Sequence, residues 1–287
     1  MRTLPTLALI ALAAAQPARA ADTDLFAYDR SAPLDLHEVG TEMRGTATLH
    51  DVTFVGTKDP IKAYLVTPAS TGPHPAILYV HWLGEPATTN RTEFLDEAVA
   101  FAQRGVVSLL IDTMWAKPKW YGTRIPEDDY ASSVNQVIEI RRAMDLLLAQ
   151  PGVDASRVAY VGHDFGAMYG MLAGGADRRA KTYVFMAGVP HFIDWALFAK
   201  KPKDLDAYKA QIAPLDPANF LPHLVPASVF FQFGNKDEYV NATQAAESYA
   251  AAGARKQMTT YAAGHDLHPA EVATDRVAWL ERELGIK

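Results

Sequence analysis

The chain has 287 residues, 49% of them hydrophobic, with 27 basic and 33 acidic side chains and no cysteine. That length and apolar content suit one large α/β domain with its own core, and the lack of cysteine excludes a disulfide framework, a thiolate nucleophile and any cysteine metal site. The acidic balance disfavours nucleic acid and anionic lipid as partners.

Residues 1–20 carry a basic start at Arg2, an apolar run over 4–15 and the small-x-small triplet Ala18-Arg19-Ala20. This is the pattern of a cleaved bacterial-type signal peptide, so the mature chain is expected in the periplasm or secreted, with no membrane span. Without Arg2 and Arg19 its net charge is −8. From residue 47 to the end, β-rich runs alternate with helical patterns, the signature of an α/β domain with a mostly parallel sheet. Eight strands are expected, at 47–55, 61–67, 76–81, 106–112, 157–162, 182–187, 228–233 and 258–262, most of them continuous apolar runs that need cover on both faces.

Between these strands, residues 129–150 place Val134, Val137, Ile140, Met144 and Leu147 at helical spacing, and Pro151-Gly152 stops the run. A last helix is expected over 268–284. Asn241, three residues ahead of Gln244, reads as a helix cap. No break marks a domain boundary, so residues 21–287 form a single domain, and the aromatic, proline-punctuated stretch 190–226 reads as a lid-like insertion.

Chemistry concentrates at Gly162-His163-Asp164-Phe165-Gly166, which joins the strand-like 158–161 to the helix-like 167–172. A strand-to-helix turn with two glycines is a nucleophile elbow, where strain and close approach exclude larger side chains. Most such elbows carry serine; here the central residue is Asp164, which the helix N-terminus keeps anionic without a base. His163 is assigned to packing. The partners follow in chain order: Asp237, favoured over Glu238, leaves one strand, and His265, favoured over His268, leaves the next. Asp237 would orient His265, and His265 would act as general base.

Backbone N–H groups of Leu83 and Phe165 are the expected oxyanion donors, with Trp82 as substitute, and His81 is a structural hydrogen-bonder. Trp115, Trp120, Tyr121 and Trp195 are candidate lining for an apolar pocket, joined by Tyr130, Phe198 and Tyr208. No histidine or carboxylate pair has metal-ligand spacing on a helix face and no glycine loop cradles phosphate, so neither metal nor cofactor is expected.

On these motifs, with residues 112–118, Arg142-Ala143-Met144-Asp145 and Gly152-Val153-Asp154, the chain resembles the α/β-hydrolase superfamily, in the layout of its dienelactone hydrolase and acetyl xylan esterase-like branch. That branch generally has serine at the position of Asp164. The Gly-His-Asp-x-Gly form is instead similar to epoxide hydrolases and dehalogenases, which make an alkyl ester on aspartate. Those enzymes usually show His-Gly-x-Pro where this chain has His81-Trp82-Leu83-Gly84, and haloalkane dehalogenases commonly follow the aspartate with tryptophan, where Phe165 stands here. A halide donor would then be Trp82, Trp115, Trp120 or Trp195.

Leaving-group chemistry separates the two. Were Asp164 to attack a carboxylic ester, the tetrahedral intermediate would expel a carboxylate of pKa about 4 before an alkoxide of pKa about 15. Attack on saturated carbon avoids that reversal. The expectation is an Asp164–His265–Asp237 hydrolase of small halogenated or epoxide substrates. Its alternatives are a carboxylesterase-like hydrolase with serine replaced, and an inactive ligand-binding homologue.

Overall fold

The computed structural model describes residues 22–84, 90–197, 200–253 and 255–287; the signal-like segment and Phe198 lie outside them. Nine strands form one sheet: β1 (His37–Arg44), β2 (Ala47–Val55), β3 (Pro60–Thr67), β4 (His74–Val80), β5 (Val107–Ile111), β6 (Val153–His163), β7 (Thr182–Met186), β8 (Ser228–Gly234) and β9 (Lys256–Tyr261). Their spatial order is β1-β2-β3-β5-β4-β6-β7-β8-β9. The pairs from β1 to β5 are antiparallel and those from β5 to β9 parallel.

All eight expected strands are present, and β1 makes the ninth. Seven of its eight residues are exposed, so it lacks the apolar pattern that marks a covered strand. By contrast every residue of β4, β5, β7 and β8 is buried, because helices cover both sides of the parallel half.

Those helices are α1 (Leu95–Ala102), α2 (Asp129–Leu148), α3 (Phe165–Ala176), α4 (Leu205–Ile212), α5 (Ala242–Ala251) and α6 (Ala270–Leu284). Val137, Ile140, Met144 and Leu147 of α2 are buried as their spacing requires, and Val134 is partly buried. α6 starts two residues later than expected because Pro269 has extended backbone and serves as its N-cap. Asn241 caps α5 through the N–H groups of Thr243 and Gln244, while the Gln244 side chain returns to the Asn241 N–H, a complete capping box.

The crossover from β4 runs to β5 on one side, and the next one, from β5, passes back to β6 on the other side of β4. In an open α/β sheet, the crevice beyond the carboxyl ends of two such strands is where ligands bind. His81 to Leu83 leave β4 there, and Asp164 leaves β6.

The turn at Asp164 is tight enough to fix its glycines. A Cβ on Gly166 would lie 2.2 Å from the Val80 carbonyl oxygen, and one on Gly162 would lie 2.3 Å from the Gly166 carbonyl oxygen. Both obstacles are backbone, so no rotamer change relieves them. Gly166→Ala is expected to cost about 3 kcal/mol or more, read as a lower denaturation midpoint in urea; an unchanged midpoint would contradict this packing.

Candidate active site

Asp164 sits between β6 and α3 with φ 53° and ψ −115°, a left-handed conformation that costs a non-glycine residue about 1–3 kcal/mol. Two hydrogen bonds hold it there: its N–H donates to the Met186 carbonyl at 2.8 Å, and its carbonyl accepts the Met168 N–H at 3.0 Å. The side chain is thereby aimed at the loop after β4, where Oδ2 accepts the Leu83 N–H at 3.0 Å. The other oxygen, Oδ1, lies 3.7 Å from His265 Nε2. Both of these atoms are buried, and neither has a hydrogen-bond partner among the described residues.

His265 Nδ1 donates to Asp237 Oδ2 at 2.8 Å. Asp237 Oδ1 in turn accepts the N–H groups of Tyr239 at 2.8 Å and Val240 at 3.0 Å. Burial alone would raise the Asp237 pKa; the bond from His265 and these backbone donors reverse that and hold it below the usual carboxylate value. Glu238, its sequence neighbour, takes no part in these bonds, and His268 is a surface group paired with Asp266.

For His265, burial works against the charged form, but the carboxylates of Asp164 and Asp237 on either side outweigh it and push its pKa up to about 10. The resting site is therefore an imidazolium between two carboxylates. A histidine raised from an ordinary 6.5 to about 10 stabilises the fold fully below pH 6.5, and this contribution is lost as pH rises toward 10. The thermal midpoint is thus expected to fall more steeply from pH 7 to 10 in the native chain than in His265→Gln; parallel falls would contradict the assignment.

Of the two expected oxyanion donors, the Leu83 N–H is aimed at Asp164 Oδ2, and Phe165 opens α3, so its N–H belongs to a helix turn with no helical acceptor of its own. Trp82 must be withdrawn as a substitute donor, because its N–H is taken by Glu93 Oε2 at 2.8 Å. His81 donates from Nδ1 to the Trp82 carbonyl at 2.7 Å and accepts at Nε2 from Thr113 at 3.0 Å. Burial lowers its pKa. It holds the loop as a neutral ring.

His163 does more than pack. Its Nε2 donates to the His265 carbonyl at 2.9 Å and its Nδ1 meets Glu93 Oε1 at 2.7 Å. Glu93 is the residue that sequence reasoning missed; a buried histidine with two ring nitrogens to satisfy was the one signal that a partner existed.

Aromatic side chains roof the site. The Trp195 ring lies 5.4 Å from that of His265, stacks on Tyr239 at 5.3 Å and sits 5.5 Å from Phe165. Its helical turn (Ile193–Ala196) is tied down by Tyr121, whose hydroxyl donates to the Trp195 carbonyl, and by Gln244 Nε2, which donates to Asp194 at 2.8 Å. Trp120, Tyr121, Phe165, Trp195 and Tyr208 help line a cavity of about 20 Å³. Trp115 does not reach that cavity: it is 1% exposed, and its Nε1 donates to the His81 carbonyl, which also removes it as a halide donor. Tyr130 packs against the core without lining it. A larger cavity of about 480 Å³ lies beside the site, shares Met114 and Trp120 with the small one, and is walled by polar residues including Gln136 and Glu139. Asp164 is 1% exposed, covered together with Oδ1 beneath this roof.

Among the described residues, no group of three or more histidine or acidic side chains is placed to hold a metal ion, and no helix is long and apolar enough to cross a membrane.

No protein-family model matches the sequence, and a search of curated proteins finds no match. Solved structures do match in shape. An acetyl xylan esterase from a Paenibacillus species superposes with a TM-score of 0.73 at 17% identity, over 88% of this chain and 90% of that one. Acetyl xylan esterase 1 from a Thermoanaerobacterium species gives 0.73 at 15% identity, over 91% and 90%. A dienelactone hydrolase candidate from Klebsiella pneumoniae gives 0.58 at 17% identity, over 80% and 95%. With most of each chain covered at such low identity, the likeness speaks to architecture and leaves the chemistry to the residues: this chain has the α/β-hydrolase fold, in its dienelactone hydrolase-like layout.

Proposed function

We propose that the chain is an exported hydrolase in which Asp164 attacks saturated carbon in a small halogenated or epoxide substrate. The observation that carries this reading is the unequal use of its two carboxylate oxygens. Oδ2 is held by the Leu83 N–H, while Oδ1 has no donor among the described residues and faces His265. A nucleophile that becomes an ester needs this division, since one oxygen must form the new bond and the other must carry charge when that ester is hydrolysed.

In the first step Oδ1 forms a bond to carbon as the carbon–halogen bond, or one epoxide carbon–oxygen bond, breaks. Halide leaves as an anion; an epoxide oxygen takes a proton from the imidazolium. Esterification removes the negative charge of Asp164, one of the two partners that keep His265 protonated, so on the halide branch the imidazolium gives its proton to solvent, and on the epoxide branch it stays neutral after protonating the substrate. Neutral Nε2 then takes a proton from water as that water adds to the Asp164 carbonyl carbon. Charge gathers on Oδ2 against the Leu83 donor. Collapse breaks the bond from the acyl carbon to Oδ1 as the imidazolium returns its proton to the departing alkoxide, so the alcohol leaves with the original Oδ1 and the oxygen of water stays in Asp164.

That atom balance supplies the test. With enzyme in excess over substrate in oxygen-18 water, a single turnover is expected to put label into Asp164 and none into product. Label in the first product would overturn the nucleophile role and favour Asp164 as a base acting on water. The esterase neighbours favour a second reading, in which aspartate has replaced a catalytic serine. It expects Asp164→Ser to raise p-nitrophenyl acetate hydrolysis well above the native chain, and no gain would count against it.

A further inference from the structure

Glu93 joins three segments that are far apart in sequence. Oε2 accepts the Trp82 N–H at 2.8 Å on the oxyanion loop, and Oε1 meets His163 Nδ1 at 2.7 Å on the elbow. From there His163 Nε2 donates at 2.9 Å to the backbone carbonyl of His265 itself. The Trp82 ring lies flat on the His163 ring, centroids 5.2 Å apart and planes 4° apart, which closes the unit. His163 is 1% exposed and the Glu93 side chain 15%, so water competes little for these bonds.

We infer that Glu93 and His163 form a positioning bridge that sets the oxyanion donor and the general base in one frame. The physical argument is one of lever arms. Fixing the Trp82 N–H fixes the peptide that leads into the Leu83 donor. Fixing the His265 carbonyl fixes the backbone from which the imidazole reaches both Asp237 and Asp164. Neither Glu93 nor His163 bonds the reacting oxygen, so both are positioning residues. The two groups they align serve the hydrolysis of the Asp164 ester more than its formation, which chiefly needs Oδ1. Breaking the bridge therefore slows the second step selectively.

Glutamine can replace Glu93 without breaking the bridge. Its carbonyl accepts the Trp82 N–H, and its amide N–H donates to His163 Nδ1 in the tautomer whose Nε2–H still reaches the His265 carbonyl. Alanine removes both bonds, and aspartate, one methylene shorter, cannot span them. Two measurements on Glu93→Gln, Glu93→Ala and Glu93→Asp test the bridge. The first needs no substrate: the imidazole nitrogen NMR signals of His265 are expected to match the native chain in the glutamine variant and to move or broaden in the other two. The second rests on the Asp164 ester reading: ester hydrolysis should fall by roughly 10²-fold in Glu93→Ala, the scale of a small misplacement of reacting groups, with formation much less affected.

Native-like His265 signals in both Glu93→Ala and Glu93→Asp, equal slowing of the two steps, or loss in Glu93→Gln as deep as in Glu93→Ala would each overturn the bridge. Should Glu93→Ala fail to fold, Glu93→Asp carries both measurements. Absence of any ester in the native chain would count against the proposed reaction, while the NMR comparison would still decide the bridge.

Discussion

His265→Gln is expected to convert the chain from a catalyst into a trap. Loss of the general base should slow ester hydrolysis by roughly 10²–10⁴-fold, while Oδ1 of Asp164 keeps a lone pair that no donor among the described residues occupies. One substrate-derived group per chain should then accumulate, visible by intact-mass spectrometry and localised to Asp164 by fragmentation. Glutamine suits the test because its amide can still donate to Asp237, which would otherwise lose the bond from His265 Nδ1. Halogenated substrates show the trap most cleanly, because halide departs without needing a proton from residue 265. Turnover by the native chain with no adduct in His265→Gln, across a panel of small halides and epoxides, would sink the covalent route.

This site was legible in the sequence to the extent that it depends on strand ends. Asp164, Asp237 and His265 each follow a strand at a short, glycine-marked offset, and those strands lie close together in the order β6-β7-β8-β9, with β7 between the first two. Parallel pairing then delivers the three loops to the same edge. Contacts that cross between loops left no such trace. Glu93 lies 70 residues from His163 and 11 from Trp82, in a segment with no motif, and nothing local distinguishes a carboxylate that bridges from one that is solvated. Trp82 stayed beside Leu83 as a substitute donor for the same reason: adjacent peptides point differently only once the loop has a shape. β1 escaped for a different cause, since a strand exposed along its length has no need of apolar alternation.

Arg276→Ala is expected to destabilise the fold by about 3–5 kcal/mol, the usual result of leaving one member of a buried ion pair uncompensated. Arg276 of α6 is 6% exposed. Its Nε lies 3.0 Å and its Nη2 2.6 Å from Glu97 Oε2 on α1, and its Nη1 contacts the Met186 sulfur at 3.4 Å. The Tyr79 hydroxyl adds a bond to Glu97 at 3.1 Å, and burial pushes that phenol far above its ordinary pKa. Burial by itself would lower the Arg276 pKa, but the attraction of Glu97 outweighs it, so the guanidinium stays charged. Removing it leaves the largely buried Glu97 carboxylate without this counter-charge. Removing both charges is a different experiment: Arg276→Met with Glu97→Leu exchanges the pair for packing and is expected to recover most of the loss. Urea denaturation of the native chain, both single variants and the double variant yields the coupling energy directly. Additive losses would show that the pair is not coupled. The Met186 contact carries the effect toward the site, because the carbonyl of that residue accepts the Asp164 N–H in the strained elbow. Arg276→Ala should therefore also reduce turnover in the fraction that remains folded, and the double variant should restore stability more fully than activity, since leucine and methionine replace packing volume but not the donor on the Met186 sulfur.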